Sequence, residues 1–503
     1  MSGRRLPFFA LVACLIYPAS VSAQSFDELR RQMREGFAGQ VSQLSREYRE
    51  YRDKVNAEFA RCLGRPWESV DRTDPGTVAP QMIVPDEPQP VCIDKESAQE
   101  WEETVVSDSL VFDMEDAVLP QPQPVVPMMY EERTDQVALF VDFFNSSCSV
   151  RFDPSKKTGL ADTSEPSVMA MWQNLSHQDY DNVVSDCLAI RDRLSLCDWG
   201  YLKLTEAVAK VIYDSPSETD CAVVLQAFLM NQSGYMIRLG RDDDRELHLL
   251  FAAADDMMGR AYWNYGGVHY YLADDSGATA LVMVKASFPG EKSVRLLMDK
   301  PQNLDLVSSP ERILQAERYE KARTLSSVNE NQMAFWSEYP TPYRNLSTKM
   351  TWYYYANTPI SEPVKKLFYP GLQASIEGKT QLEAVNILLN FVQTAFEYRV
   401  DSKVWGDERS FYPEETLFYQ YSDCEDRAIL FSRIIRDLLG LDVLLVYYPN
   451  HLATAVCMND DCQGDKLIYK DRKYTICDPT YMNASAGMTM QDCDNATADI
   501  IVL

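Results

Sequence analysis

The segment from Tyr421 to Cys457, YSDCEDRAILFSRIIRDLLGLDVLLVYYPNHLATAVC, constrains the fold more than any other part of the chain. Ser422-Asp423-Cys424-Glu425 has the form of a capping box, with Ser422 as N-cap and Glu425 at the third helical position. Ile429, Leu430, Ile434, Ile435, Leu438 and Leu439 give the apolar stripe of a buried helix, which Gly440 ends. DVLLVYY then reads as a buried strand, Pro449-Asn450 as a turn and HLATAV as the next strand. After a charged hairpin, LIY and YTICDPT form another pair that stops at Asp478, because Pro479 cannot continue a ladder. The expected fold class is α+β, with a cysteine-bearing helix packed on an antiparallel sheet that carries a histidine and an aspartate.

This placement has chemical consequences. In the first turn of a helix the exposed N–H groups and the macrodipole favour a thiolate at Cys424. Asp423, Glu425 and Asp426 oppose it by like charge, so a basic partner is required. His451, at the start of its strand, is the candidate, and Asp478 is placed to hold its imidazole in one tautomer. Only His177, His248 and His269 compete with it. The competing account of Cys424 is an ordinary disulfide cysteine beside a packed histidine.

DCEDRA, HLATAV and CDPTY, in Cys–His–Asp order with two spacings of 27 residues, resemble the transglutaminase-like branch of the papain-like cysteine-enzyme superfamily. The likeness is to exported bacterial proteins with a C-terminal transglutaminase-like domain. It spans roughly residues 361–503, including EAVNILLNFVQTAFEY, and extends more weakly into the middle of the chain. It implies a papain-like domain with Cys424 as nucleophile, His451 as general base and acid, and Asp478 as its orienting carboxylate. The reaction it implies is acyl transfer at a protein or peptide amide through a thioester, with no cofactor. The alternative is a non-catalytic scaffold or binding protein of the cell envelope that keeps the fold. For the oxyanion, the Cys424 N–H is one donor; Gln420, Tyr421 and Trp405 are candidates for a second. No metal site is expected: Cys457-x4-Cys462 is loose for zinc and no CxxC pair exists. Asn-x-Ser/Thr sequons at Asn145, Asn174, Asn231, Asn345, Asn483 and Asn495 matter only in a eukaryotic secretory pathway.

The first residues, MSGRRLPFFALVACLIYPASVSAQS, read as a secretory signal cleaved after Ala23. LVAC also resembles a lipoprotein cleavage box with Cys14 as the lipidated residue, a reading that the apolar Leu15, Ile16 and Tyr17 disfavour. The expectation is therefore a secreted or periplasmic protein without an integral membrane segment. Without Cys14, eleven cysteines remain, an odd number that leaves ten free to pair if one is a nucleophile. The 48 basic and 75 acidic residues give a formal charge of −27, which argues against nucleic acid and anionic lipid as partners.

The expected organisation is a signal peptide (1–23), a long amphipathic helix (24–64), a Pro-rich linker (65–134), an α+β middle domain (135–330) and the C-terminal domain (331–503). Phe26, Phe37, Tyr48 and Phe59 recur every 11 residues, with Met33, Leu44 and Val55 between them. That period suits either self-association through a coiled coil or a helix laid along its own domain. The middle domain holds an internal echo. Asp220-Cys221 is followed by His248 at +27 and by Asp274 26 residues later, in the same helix–strand–strand order. A degenerate second copy of the C-terminal fold and chance both account for it.

Overall fold

The computed structural model describes residues 46, 47, 49–75, 101–113, 121–124, 135–177, 180–343, 347–406, 408–460 and 462–503. Two compact units are distinguished, Met1–Lys54 and Val55–Leu503, and of the first only helical residues 46, 47 and 49–54 are described. The signal sequence, Cys14, Cys92 and the repeat positions Phe26, Met33, Phe37, Leu44 and Tyr48 lie outside the described residues. In the second unit Val55, Phe59, Ala60 and Leu63 are buried, and the Phe59 ring lies 5.0 Å from Trp172 and 5.6 Å from Phe288. These last turns of the long helix pack on their own domain.

The second unit is mixed α+β and holds two seven-stranded sheets. In the middle region the helix Thr219–Gln232 (α1) precedes strands Ile237–Arg241 (β1), Leu247–Ala252 (β2), Tyr262–Tyr265 (β3), Val268–Leu272 (β4) and Val282–Met283 (β5). They are antiparallel in the order β5-β1-β2-β4-β3. In the C-terminal region the helix Cys424–Leu439 (α2) precedes Val443–Tyr448 (β6), His451–Val456 (β7), Lys466–Tyr469 (β8), Arg472–Cys477 (β9) and Asp499–Val502 (β10). These are antiparallel in the order β10-β6-β7-β9-β8.

The outer strands come from the Pro-rich stretch. Glu68–Ser69 pairs with β5 and Arg72–Thr73 with β3; Glu103–Val105 runs parallel to β8 and Val111–Phe112 parallel to β10. Part of the expected linker therefore closes both sheets. The apolar run SVRLLM (293–298) forms no strand: Val294 makes an isolated bridge to Ala253, while Leu296 and Met298 are buried. Packing, not pairing, explains its apolar run.

Residue alternation explains why β6 and β7 read as continuous apolar runs. Leu445, Leu452 and Val456 join the core that contains Ile429, Leu430 and Ile434 of α2. Leu444, Val446, Ala453 and Ala455 form a second core with Ile476 and Ile500. A strand covered on both faces has no polar side to show. The helix stops at Gly440, whose φ of 63° suits a residue without a side chain, and whose N–H returns to the Arg436 carbonyl. At the β6–β7 turn Asn450 takes a φ of 68°, and Tyr448 faces His451 in the ladder. The turn thereby sets His451 as the first residue of β7. Among the described residues no disulfide is formed, and no helix is long and apolar enough to cross a membrane.

Candidate active site

Cys424 is the first residue of α2, one position closer to the helix start than the sequence predicts. The N-cap is Asp423, not Ser422, and its N–H donates to Asp426 Oδ2 at 3.2 Å. Ser422 is taken up elsewhere: its backbone pairs with Tyr398 and its hydroxyl accepts from Arg427 Nε at 3.1 Å. Asp423 is then the next capping side chain in line.

The Cys424 side chain is fully covered and its Sγ donates to Glu425 Oε2 at 3.3 Å. Burial pushes the thiol well above the ordinary cysteine range, and the Asp423 charge adds to that. The Leu452 N–H opposes it by donating to the sulfur. Desolvation and the acidic neighbours act in the same direction and outweigh the Leu452 N–H, so the resting group is a neutral thiol.

His451 and Asp478 are brought together. His451 Nε2 lies 2.8 Å from Asp478 Oδ2, and both residues are buried. Asp478 Oδ1 accepts the N–H groups of Thr480 at 2.8 Å and Tyr481 at 3.1 Å, which fixes the carboxylate just beyond β9. His451 Nδ1 is buried and has no hydrogen-bond partner among the described residues. It is not bonded to Cys424. The sulfur instead meets the N–H of the residue that follows His451, so thiol and imidazole are neighbours through the backbone of β7.

Comparison of the chain with protein-family models, curated proteins and solved structures returned no match. The site is read from its own geometry.

Three supporting residues escaped the sequence reading. The Gln393 amide, on the helix Gln381–Thr394, donates to the carbonyls of Asp478 (3.0 Å), Tyr481 (2.8 Å) and Ala484 (3.1 Å). Arg427 is fully buried under the site and donates to the carbonyls of Gln393 (3.1 Å) and Phe396 (2.9 Å). Burial pulls its guanidinium down to about 10. Asp401 completes an acidic group beside Cys424: one carboxylate oxygen each from Asp401, Glu408, Asp423 and Glu425 lies within 4.8 Å of the others.

Burial, with Asp423 as second cause, raises Asp401 to about 9. Glu425 and Asp426 are also raised well above the carboxylate range, by burial and then by Asp423. Asp423 Oδ1 and Glu425 Oε1 are buried without a hydrogen-bond partner. The cluster either keeps protons or holds a hard divalent cation, the type that oxygen ligands select. Arg427, beneath it, supplies only part of the opposing charge.

Of the candidates for a second oxyanion donor, the Gln420 amide donates to Glu397 at 2.7 Å and the Trp405 backbone N–H donates to the Asp401 carbonyl at 2.7 Å, while the Tyr421 ring lies under the Arg399 guanidinium at 3.9 Å. The metal account of Cys457, Cys462, Cys477 and Cys493 with His451 finds no gathering of these groups among the described residues.

Proposed function

We propose that the chain is a transglutaminase-like cysteine enzyme that transfers acyl groups from protein or peptide amides, with Cys424, His451 and Asp478 as its triad. One observation carries this reading: an imidazole held by a carboxylate through Nε2 keeps Nδ1 free, on the residue next to the N–H that meets the Cys424 sulfur. Because the resting thiol is neutral, His451 acts as a general base and not as a preformed ion-pair partner. Cys424 Sγ attacks the amide carbonyl as its proton passes to His451 Nδ1. The imidazolium, stabilised by Asp478, returns that proton to the leaving amine, and a thioester remains on Cys424. Water or an amine, deprotonated by His451, then releases the acyl group. The Cys424 N–H at the start of α2 is one donor to the oxyanion. The sulfur is fully covered, so the covering side chains must move before a carbonyl reaches it.

That coverage and the raised thiol favour a second reading, a scaffold that keeps the fold without turnover. The two separate in a mixed peptide pool supplied with hydroxylamine as the acceptor. New peptide termini or hydroxamates, absent with Cys424→Ser, are expected of the enzyme. Cys424 found in a disulfide with Cys457 or Cys477 in the native chain would overturn it. Export through the signal sequence belongs to the same proposal.

A further inference from the structure

The five central strands of the two sheets follow the same order with the same antiparallel directions, each set behind a helix that bears a cysteine in its first turn. His248 is the second residue of β2, as His451 is the first of β7, and Asp274 lies two residues past β4. The histidine–aspartate pair is also repeated: His248 Nδ1 lies 3.0 Å from Asp274 Oδ2. The thiol is not. Cys221 Sγ accepts the Leu160 N–H at 3.4 Å, and at the strand edge the Leu247 N–H donates to Asp220 Oδ1 at 2.8 Å. The Asp220 carboxylate thus meets the N–H before His248, whereas the Cys424 sulfur meets the N–H after His451.

His248 faces other groups. Its Nε2 is buried, makes no hydrogen bond of acceptable geometry and lies 3.3 Å from Asp242 Oδ2. Glu246 brings a second carboxylate, and one ligand atom from each of Asp242, Glu246 and His248 lies within 4.8 Å of the others. The turn is built for this. Asp242 Oδ1 accepts the Glu246 N–H at 2.8 Å, and Arg245 takes a φ of 67° to close it. With Nδ1 on Asp274, Nε2 faces Asp242 and Glu246, an arrangement that calls for positive charge between them, either a second ring proton or a bound cation. A carboxylate behind the other ring nitrogen is the usual outer support of a metal-bound histidine.

We propose that Asp242, Glu246 and His248 form a Zn²⁺-class divalent metal site in the middle domain, with Asp274 orienting the imidazole. One imidazole and two carboxylates suit a borderline first-row ion better than a purely oxygen-seeking one. Glu246 is exposed, so the ion enters from the turn and water completes its shell.

The test is equilibrium dialysis of the chelator-stripped full chain against Zn²⁺, with metal counted per chain. Wild type should take up one more Zn²⁺ than Glu246→Gln, an exposed position where loss of fold is not expected. Asp274→Asn should weaken that site by about 10- to 100-fold while leaving the count unchanged at high Zn²⁺. Co²⁺ at the difference site should show no sulfur charge-transfer band. Equal Zn²⁺ counts and affinities for wild type, Glu246→Gln and Asp242→Asn would overturn the proposal. A shift of the thermal pH profile in Asp242→Asn with unchanged Zn²⁺ uptake would do so too, since it would make the contact a simple ion pair of protonated His248.

Discussion

His451 Nε2 and Asp478 Oδ2 are 2.8 Å apart, both buried, and the opposite ring nitrogen has no partner. Asp478 thus decides which nitrogen of His451 carries the proton. Asp478→Asn keeps an acceptor for the Thr480 and Tyr481 N–H groups but can impose the wrong tautomer. The comparable change in a serine-protease triad costs ~10⁴ in rate. A loss of at least about 100-fold in kcat is expected here, with little change in the thermal midpoint. Paired kinetic and melting measurements check the split.

Gln393 has two amide hydrogens for three carbonyls, so at least one hydrogen is shared among Asp478, Tyr481 and Ala484. Gln393→Met removes both at similar volume and leaves buried acceptors without partners, at a cost of about 1–3 kcal/mol each. The expected result in denaturant melts is a loss of a few kcal/mol. If the variant folds, kcat should fall further than KM changes, because the loop that carries Asp478 loses its anchor.

Arg427 joins three parts of the site: the Ser422 hydroxyl, the Gln393 carbonyl and the Phe396 carbonyl. Arg427→Ala should cost on the order of 3–5 kcal/mol, the range for breaking a buried charge arrangement. Lysine should rescue little of it, since one ammonium cannot span the fork. Urea unfolding of the two variants gives the comparison.

The acidic cluster makes stability depend on pH. Asp401 is raised to about 9 in the folded chain, against about 3.9 when unfolded. A raised carboxyl contributes fully below the unfolded value and loses its contribution as pH climbs through the folded one. With chelator present, stability should therefore fall between pH ~4 and ~9, by up to about 1.4 kcal/mol per pH unit for each such proton. Asp401→Asn should flatten the decline. A profile that rises toward pH 8 in both proteins would contradict this.

Much of this site was legible because local chemistry and tertiary structure agree there. The stripe Ile429 to Ile435, the stop at Gly440 and the turn at Pro449-Asn450 each act within a few residues. The N-cap was missed by one residue because Ser422 and Asp423 are both competent caps. A contact 24 residues away in sequence, Ser422 with Tyr398, decides between them. Asp401, Gln393 and the two-residue strands at Glu68 and Arg72 carry no periodic pattern. Their roles exist only once distant segments meet. The echo at Cys221 showed the reverse: spacing matched, yet the cysteine points to Leu160 and only the His248–Asp274 pair is repeated.

The central claim is that His451 serves Cys424. Cys477 supplies an internal control, being equally buried on the neighbouring strand β9, with its thiol also raised by burial. The decisive measurement is the ratio of iodoacetamide labelling rates at Cys424 and Cys477 by peptide mass spectrometry, in wild type and in His451→Ala. A preference for Cys424 of at least about tenfold in wild type, collapsing toward unity in the variant, is the predicted result. The same ratio in both proteins would contradict the account.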